Sequence, residues 1–174
     1  MENVILVDEH DRVLGLMEKL EAHQKGVLHR AISVFVFNSQ GELLLQQRAA
    51  HKYHSPLLWT NTCCSHPRND ETTLESAQRR LKEEMGMTCP LSHLFHFIYR
   101  AEFDNGLIEH ELDHVFLGIS DELPKPNVEE AADFKYLKLD LLITDLKTNP
   151  RDYTPWFEII LSKHLDKIEK AICA

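Results

Sequence analysis

No apolar run in this 174-residue sequence approaches the roughly 20 residues that a membrane-spanning helix needs. The first residues, Met1-Glu2-Asn3, are acidic and lack the basic-then-apolar order of a secretory leader, so a cytoplasmic location is expected. Cysteine is sparse: Cys63, Cys64, Cys89 and Cys173 contain no C-x-x-C pair, and adjacent Cys63 and Cys64 are poorly placed to bridge one another. This excludes a secreted disulfide framework, and Cys89 and Cys173 read as small buried hydrophobes. Positive charge is in deficit, with a formal net charge of −9. Such a field repels phosphate, which argues against nonspecific nucleic-acid binding and against stable association with anionic membranes. An anionic small-molecule substrate would therefore need a local basic patch and a bound metal. Repeats and low-complexity segments are also absent.

What is present fits one domain over residues 1–174, since a chain of this length buries about 70% of its unfolded surface. The 43% hydrophobic and 27% charged content is that of an ordinary globular protein. Val4–Val7 and Val13–Leu16 read as strands around a polar turn, and Met17–His23 as a short helix. Ile32–Phe37 and Glu42–Gln47 form a second strand pair around Asn38-Ser39-Gln40-Gly41. A helix follows Glu71-Thr72-Thr73 and runs to Met85, with Leu74, Ala77 and Leu81 on its packing face and Gly86 as its stop. Leu94–Phe103 and Leu107–Ile119 are long strands flanking an Asn105-Gly106 turn. Pro124-Lys125-Pro126 marks a loop, Phe134–Leu137 a strand and Asp140–Leu146 a short helix. The last helix follows Pro150, with Trp156, Phe157, Ile160, Leu161, Leu165, Ile168 and Ile172 on its apolar face. Strands interspersed with helices predict an α/β or α+β layered domain.

Chemistry gathers in a few places. Glu71, Arg79, Glu83-Glu84 and Gly86 lie on a loop and helix suited to holding a divalent cation against phosphate oxygens. Glu109 and Glu111 are two apart on a strand and share a face, where they repel unless a cation lies between them. His23, His29 and His66 are candidate partners for such a cation, although their spacing is no short metal signature. Cys64 lies in a polar loop, where a thiol can exchange a proton or attack an electrophile; alone it reads as a half-buried cysteine. Lys19, Arg48, Lys52 and Arg80 are each ordinary surface charges singly, but together they can receive a diphosphate.

Thr60-Asn61-Thr62-Cys63-Cys64-Ser65-His66-Pro67, the Arg79–Gly86 helix, Tyr99-Arg100-Ala101, Glu109-His110-Glu111 and Thr154-Pro155-Trp156 occur in this order. With that order and spacing the chain resembles the type I isopentenyl-diphosphate isomerases, non-hydrolysing members of the Nudix-fold superfamily, over roughly residues 3–165. The resemblance implies a Nudix-like mixed sheet flanked by helices. It also implies interconversion of isopentenyl and dimethylallyl diphosphate, an isoprenoid precursor step, with a prenyl diphosphate as the small-molecule partner. It assigns Cys64 and Glu111 as the acid/base pair on opposite sides of the hydrocarbon, and Tyr99 as the support of Glu111. Trp156 would face a carbocation-like species with its ring. His23, His29, His66, Glu109 and Glu111 would hold one divalent metal (Mn2+, Zn2+ or Mg2+). Glu84 would hold Mg2+ with the diphosphate, and Lys19, Arg48, Lys52 and Arg80 would bind the diphosphate itself.

Three positions depart from simpler patterns. Arg80 stands where a Nudix hydrolase would place another metal-binding carboxylate, which favours isomerase over the alternative, a Nudix hydrolase of a nucleoside or prenyl diphosphate. Ser65 stands where the signature expects glycine, and Cys63 adjoins the assigned thiol. Cys64 takes the assignment because it lies two before His66, as the family motif requires. A non-catalytic binding module for metal or prenyl phosphate is the remaining reading.

Overall fold

The structure is a computed structural model and describes residues 2–173; the outermost residues of the expected 1–174 domain, Met1 and Ala174, lie outside the described residues. Among the described residues one mixed sheet holds nine strands. These are β1 (Asn3–Val7), β2 (Val13–Glu18), β3 (His29–Phe37), β4 (Glu42–Arg48), β5 (Trp59–Thr60), β6 (Cys63–Ser65), β7 (Leu91–Glu102), β8 (Ile108–Ile119) and β9 (Ala131–Lys138). The helices are α1 (Lys19–Lys25), α2 (Thr73–Met85), α3 (Leu139–Thr148) and α4 (Pro155–Ile172).

Strand β3 is the hub. It runs parallel to β8 from His29↔Glu111 to Phe37↔Ile119, and antiparallel to β6, which sets Ser33 opposite Cys64. The long β7–β8 hairpin then sets Tyr99 opposite Glu111 and Ala101 opposite Glu109. Side chains alternate across a sheet, so each face acquires its own core. On one face Phe35, Phe37, Leu43, Leu45, Phe97 and Val115 pack with Phe157, Ile160 and Leu161 of α4. On the other, Val34, Val36, Leu44 and Phe116 pack with Ala77, Leu81 and Met85 of α2. The α4 face continues along the same strands into Ser33, Tyr99, Glu109, Glu111 and Asp113. The apolar core thus gives way to a buried polar region without leaving the sheet.

Most expected elements lie where the periodicity predicts them, with local differences. The short helix starts at Lys19 because β2 continues to Glu18, the partner of Asn3. Leu74 of α2 is exposed rather than packed; its packed face is Ala77, Leu81 and Met85. Cys173 is exposed at the end of α4 and Cys89 is half-buried, against the expectation for both; Cys63 is the fully buried one. Thr72 and Glu75 form a reciprocal capping box at the start of α2. Gly86 ends that helix at φ 64°, and a Cβ there would stand 2.6 Å from the Lys125 carbonyl oxygen. No helix among the described residues is long and apolar enough to cross a membrane.

Candidate active site

The middle of β3, the β6 strand, the β8 carboxylates and the start of α4 enclose a polar cavity of about 160 Å³. This is below the roughly 300–1,000 Å³ of drug-sized pockets, which suits a small substrate. Its walls include Cys64, His66, Tyr99, Glu109, Glu111 and Trp156, and its mouth Lys19, Arg48, Lys52 and Arg80. The sequence therefore places its predicted thiol, tyrosine, tryptophan, carboxylates and cations around one space.

Strand β6 fixes the thiol. Cys64 donates to Asn61 Oδ1 at 3.1 Å, and the Trp156 indole N–H donates to its Sγ at 3.1 Å. Asn61 is itself held by Val34 and Cys63 carbonyls and by the Thr60 hydroxyl, which in turn accepts from Thr154 at the start of α4. Burial, with Glu84 and Asp113 nearby, pushes the Cys64 thiol up to about 12, so it rests protonated. Trp156 is buried, and its ring lies 5.2 Å from the Arg48 guanidinium carbon.

Opposite, one phenol serves both carboxylates. The Tyr99 hydroxyl lies 2.7 Å from Glu109 Oε2 and 2.6 Å from Glu111 Oε2. Burial and these two carboxylates raise the Tyr99 phenol well above its usual value. Burial also works against the charged glutamates, but the imidazoles beside them win: His23 and His54 hold Glu109 well down, and His29 and His66 hold Glu111 down despite the Glu109 charge. His66 Nε2 lies 2.9 Å from Glu111 Oε1, and burial lowers that imidazole to about 4. Asp113 continues the row, accepting from Ser33 Oγ at 2.7 Å; burial and Glu111 raise its carboxyl well above normal.

The donor set fits a divalent cation. One atom each from His23, His29, His66 and Glu111 lie mutually within 4.8 Å. His23 donates from Nδ1 to the Lys19 carbonyl and His29 from Nδ1 to the Val27 carbonyl, leaving both Nε2 atoms buried and without a close hydrogen bond, 3.6 Å from Glu109 Oε1 and 3.5 Å from Glu111 Oε1 respectively. A neutral imidazole anchored this way presents a lone pair inward, as metal ligands do. Glu109 belongs to a second, overlapping group with His23 and His54, whose Nε2 is 3.0 Å from Glu109 Oε1. His54 was not singled out by sequence, because a lone histidine in an irregular polar loop carries no spacing signal. The basic mouth is also less free than the sequence suggests. Arg80 bonds Glu84 and Glu130, Lys52 pairs with Glu130, and Lys19 with Glu2. Arg48 donates to the Ser55 and His54 carbonyls. Burial raises the Glu84 carboxyl, opposed by Arg80 and the Gln46 amide; Oε1 accepts two N–H bonds from Arg80, while Oε2 accepts one from Gln46 and keeps a lone pair for a cation.

The NUDIX domain family matches residues 27–157. An isopentenyl-diphosphate Delta-isomerase from Pectobacterium atrosepticum is 50% identical over 163 residues, 94% of this chain and 91% of that one. Isopentenyl-diphosphate Delta-isomerase 2 from Aromatoleum aromaticum is 52% identical over 162 residues, 93% of this chain and 86% of that one. Among solved structures, a Deinococcus radiodurans protein, DR0079, superposes with a TM-score of 0.76 at 20% identity, covering 94% of this chain and 99% of its own. The MutT protein of Methanosarcina mazei Go1 does so at 0.65 and 17%, covering 82% and 96%. These two likenesses carry the fold alone.

Proposed function

Because the chain belongs to the NUDIX family, and within it to the isopentenyl-diphosphate Delta-isomerases, we propose that its cavity moves a proton on each side of a five-carbon alkene. The enzyme interconverts isopentenyl diphosphate and dimethylallyl diphosphate. The observation that carries the assignment of roles is the placement of a protonated thiol and a carboxylate around one small cavity, each held by its own buttress.

Cys64 and Glu111 are the proton carriers in this reading. One delivers a proton to the alkene and the other removes one from the allylic carbon; in the reverse direction they exchange tasks. Asn61 and Trp156 aim the thiol, and the indole N–H can satisfy the sulfur once it has given its proton. Tyr99 orients Glu111 through a short hydrogen bond. The carbocation-like species between them is protected by exclusion of water, since Tyr99, Glu111 and Trp156 are all buried. Trp156 also offers a π face to positive charge. Lys19, Arg48, Lys52 and Arg80 are the diphosphate ligands, reached by separating them from Glu2, Glu84 and Glu130.

His23, His29, His66, Glu109 and Glu111, with His54 alongside, are the residues that would hold the first divalent cation, Mn2+, Zn2+ or Mg2+. Glu84 would hold Mg2+ at the diphosphate. When bound, these cations supply positive charge that neutralises the carboxylates and the diphosphate. A single isomerase domain over 1–174, a cytoplasmic location and a free prenyl diphosphate as the partner, without nucleic acid or stable membrane attachment, belong to the same proposal.

The test is incubation of purified protein with isopentenyl diphosphate and Mg2+, followed by product analysis. Dimethylallyl diphosphate with no phosphate released is expected; phosphate without that product would overturn the reading in favour of hydrolysis. Cys64→Ala and Glu111→Gln should each lower turnover by at least 10³-fold, roughly the upper range for acid–base catalysis. Near-normal turnover in either removes that residue from the proton path.

A further inference from the structure

Three imidazoles gather on the face of β7 and β8 turned away from the cavity. His93 and His96 are three apart, a spacing that sends side chains to opposite faces of a regular strand. The β7–β8 register shifts between His93 and Phe95, and this bulge returns both to one face. His114 is the direct partner of His96 across the ladder. As a result His93, His96 and His114 each offer a ring nitrogen within 4.8 Å of the others. His93 Nε2 and His114 Nδ1 stand 3.2 Å apart. Two nitrogens bound to one tetrahedral ion at about 2.0–2.1 Å each lie roughly 3.3 Å from one another.

The second nitrogen of His114 is also accounted for. Its Nε2 lies 3.0 Å from Asp11 Oδ2. Asp11 is held in a left-handed turn at φ 61°, and Arg30 donates to its Oδ1 at 2.7 Å and to its carbonyl at 2.9 Å. A carboxylate only accepts, so the His114 proton sits on Nε2 and the Nδ1 lone pair is turned toward His93. Carboxylate, imidazole and an open lone pair in line form the arrangement that orients histidine ligands in metal sites.

We propose that His93, His96 and His114 form a second divalent transition-metal site, of the class that takes Zn2+, with Asp11 orienting His114 from behind. A simple hydrogen bond from His93 to His114 is the competing account, and it needs nothing of His96. Because His93 and His96 are exposed, an ion reaches the site from solvent without unfolding, and water fills the remaining coordination positions. The site is independent of the isomerase assignment, since none of the three histidines lines the cavity.

The experiment uses full-length protein without a histidine tag, stripped by chelator and re-equilibrated with Zn2+, with zinc per chain read by mass spectrometry. His93→Ala and His96→Ala should each lose one zinc relative to the unsubstituted protein, with isomerase turnover unchanged. Asp11→Asn keeps the three ligands and should weaken zinc binding about 10–100-fold. Both alanine positions are exposed, so folding is not in question. The same zinc content in the unsubstituted, His93→Ala and His96→Ala proteins overturns the proposal.

Discussion

Trp156 reaches Cys64 through its indole N–H as well as offering a ring face, and the two contributions can be separated. Trp156→Phe keeps an aromatic face and deletes the donor. If the N–H supports the sulfur, turnover should fall about tenfold, as expected for loss of roughly 1.4 kcal/mol in the transition state. Steady-state rates alongside thermal melts distinguish this from loss of fold. Tyr99→Phe removes the single O–H proton that Glu109 and Glu111 share and should cost about 10–100-fold in turnover, equivalent to a hydrogen bond of roughly 1.5–3 kcal/mol to a charged group. Unchanged turnover would confine Tyr99 to packing. Cys64, His66, Glu109 and Glu111 were singled out through the family motif they match, since each alone has an ordinary structural reading. Asn61 was legible only as part of a motif, whereas His54, Glu130 and Asp113 take their meaning from partners far away in sequence. Glu130, for instance, meets Lys52 and Arg80 only after the sheet has closed.

Helix α2 was the most readable element, since apolar spacing and the Gly86 stop mark it, while the Thr72–Glu75 capping box emerged only in the structure. Gly86→Ala should destabilise the protein by more than about 1 kcal/mol, because the new Cβ meets the Lys125 carbonyl in a backbone conformation that alanine resists. A urea midpoint unchanged from the parent would show that the Lys125 loop yields freely. The loop before α2 is pinned by Glu71, which accepts from Arg79 at 2.5 and 2.8 Å. Arg79 holds the Glu71 carboxyl below the usual carboxylate range, so its stabilisation is complete above the unfolded-state value and is lost as pH falls through the lowered one. Glu71→Gln should therefore cost roughly 1.5 kcal/mol at neutral pH, with the gap to the parent closing toward pH 3. Parallel urea titrations at the two pH values check this. The shorter elements were harder to read. Strands β5 and β6 have only two and three residues, too few for alternation to register, and the β2–α1 boundary moved because cross-strand pairing overrode local preference.

At the scale of the whole molecule, layered α/β character followed from the order of strands and helices, but the parallel alignment of β3 and β8 did not. No local pattern states which strand will lie beside which; here that choice decides that His29 faces Glu111. The buried Nε2 atoms of His23 and His29 make no close hydrogen bond, so a cation bound there would supply a partner that folding alone does not. Adding Mn2+ at about 100 times its dissociation constant should stabilise the protein by roughly 2.7 kcal/mol, and EDTA should reverse it. Calorimetry with and without the ion tests this, and a melting temperature indifferent to both additions would count against a tight centre. The same β3–β8 seam has a consequence for biosynthesis. Ser33 and its partner Asp113 are 80 residues apart, so a nascent chain that has left the ribosome only as far as β7 carries the thiol and all the cavity's histidines but neither β8 glutamate. Such a half-made chain has imidazoles without their counter-charges. Cation capture and proton transfer must therefore both await a single late event, the seating of β8 between β3 and β7.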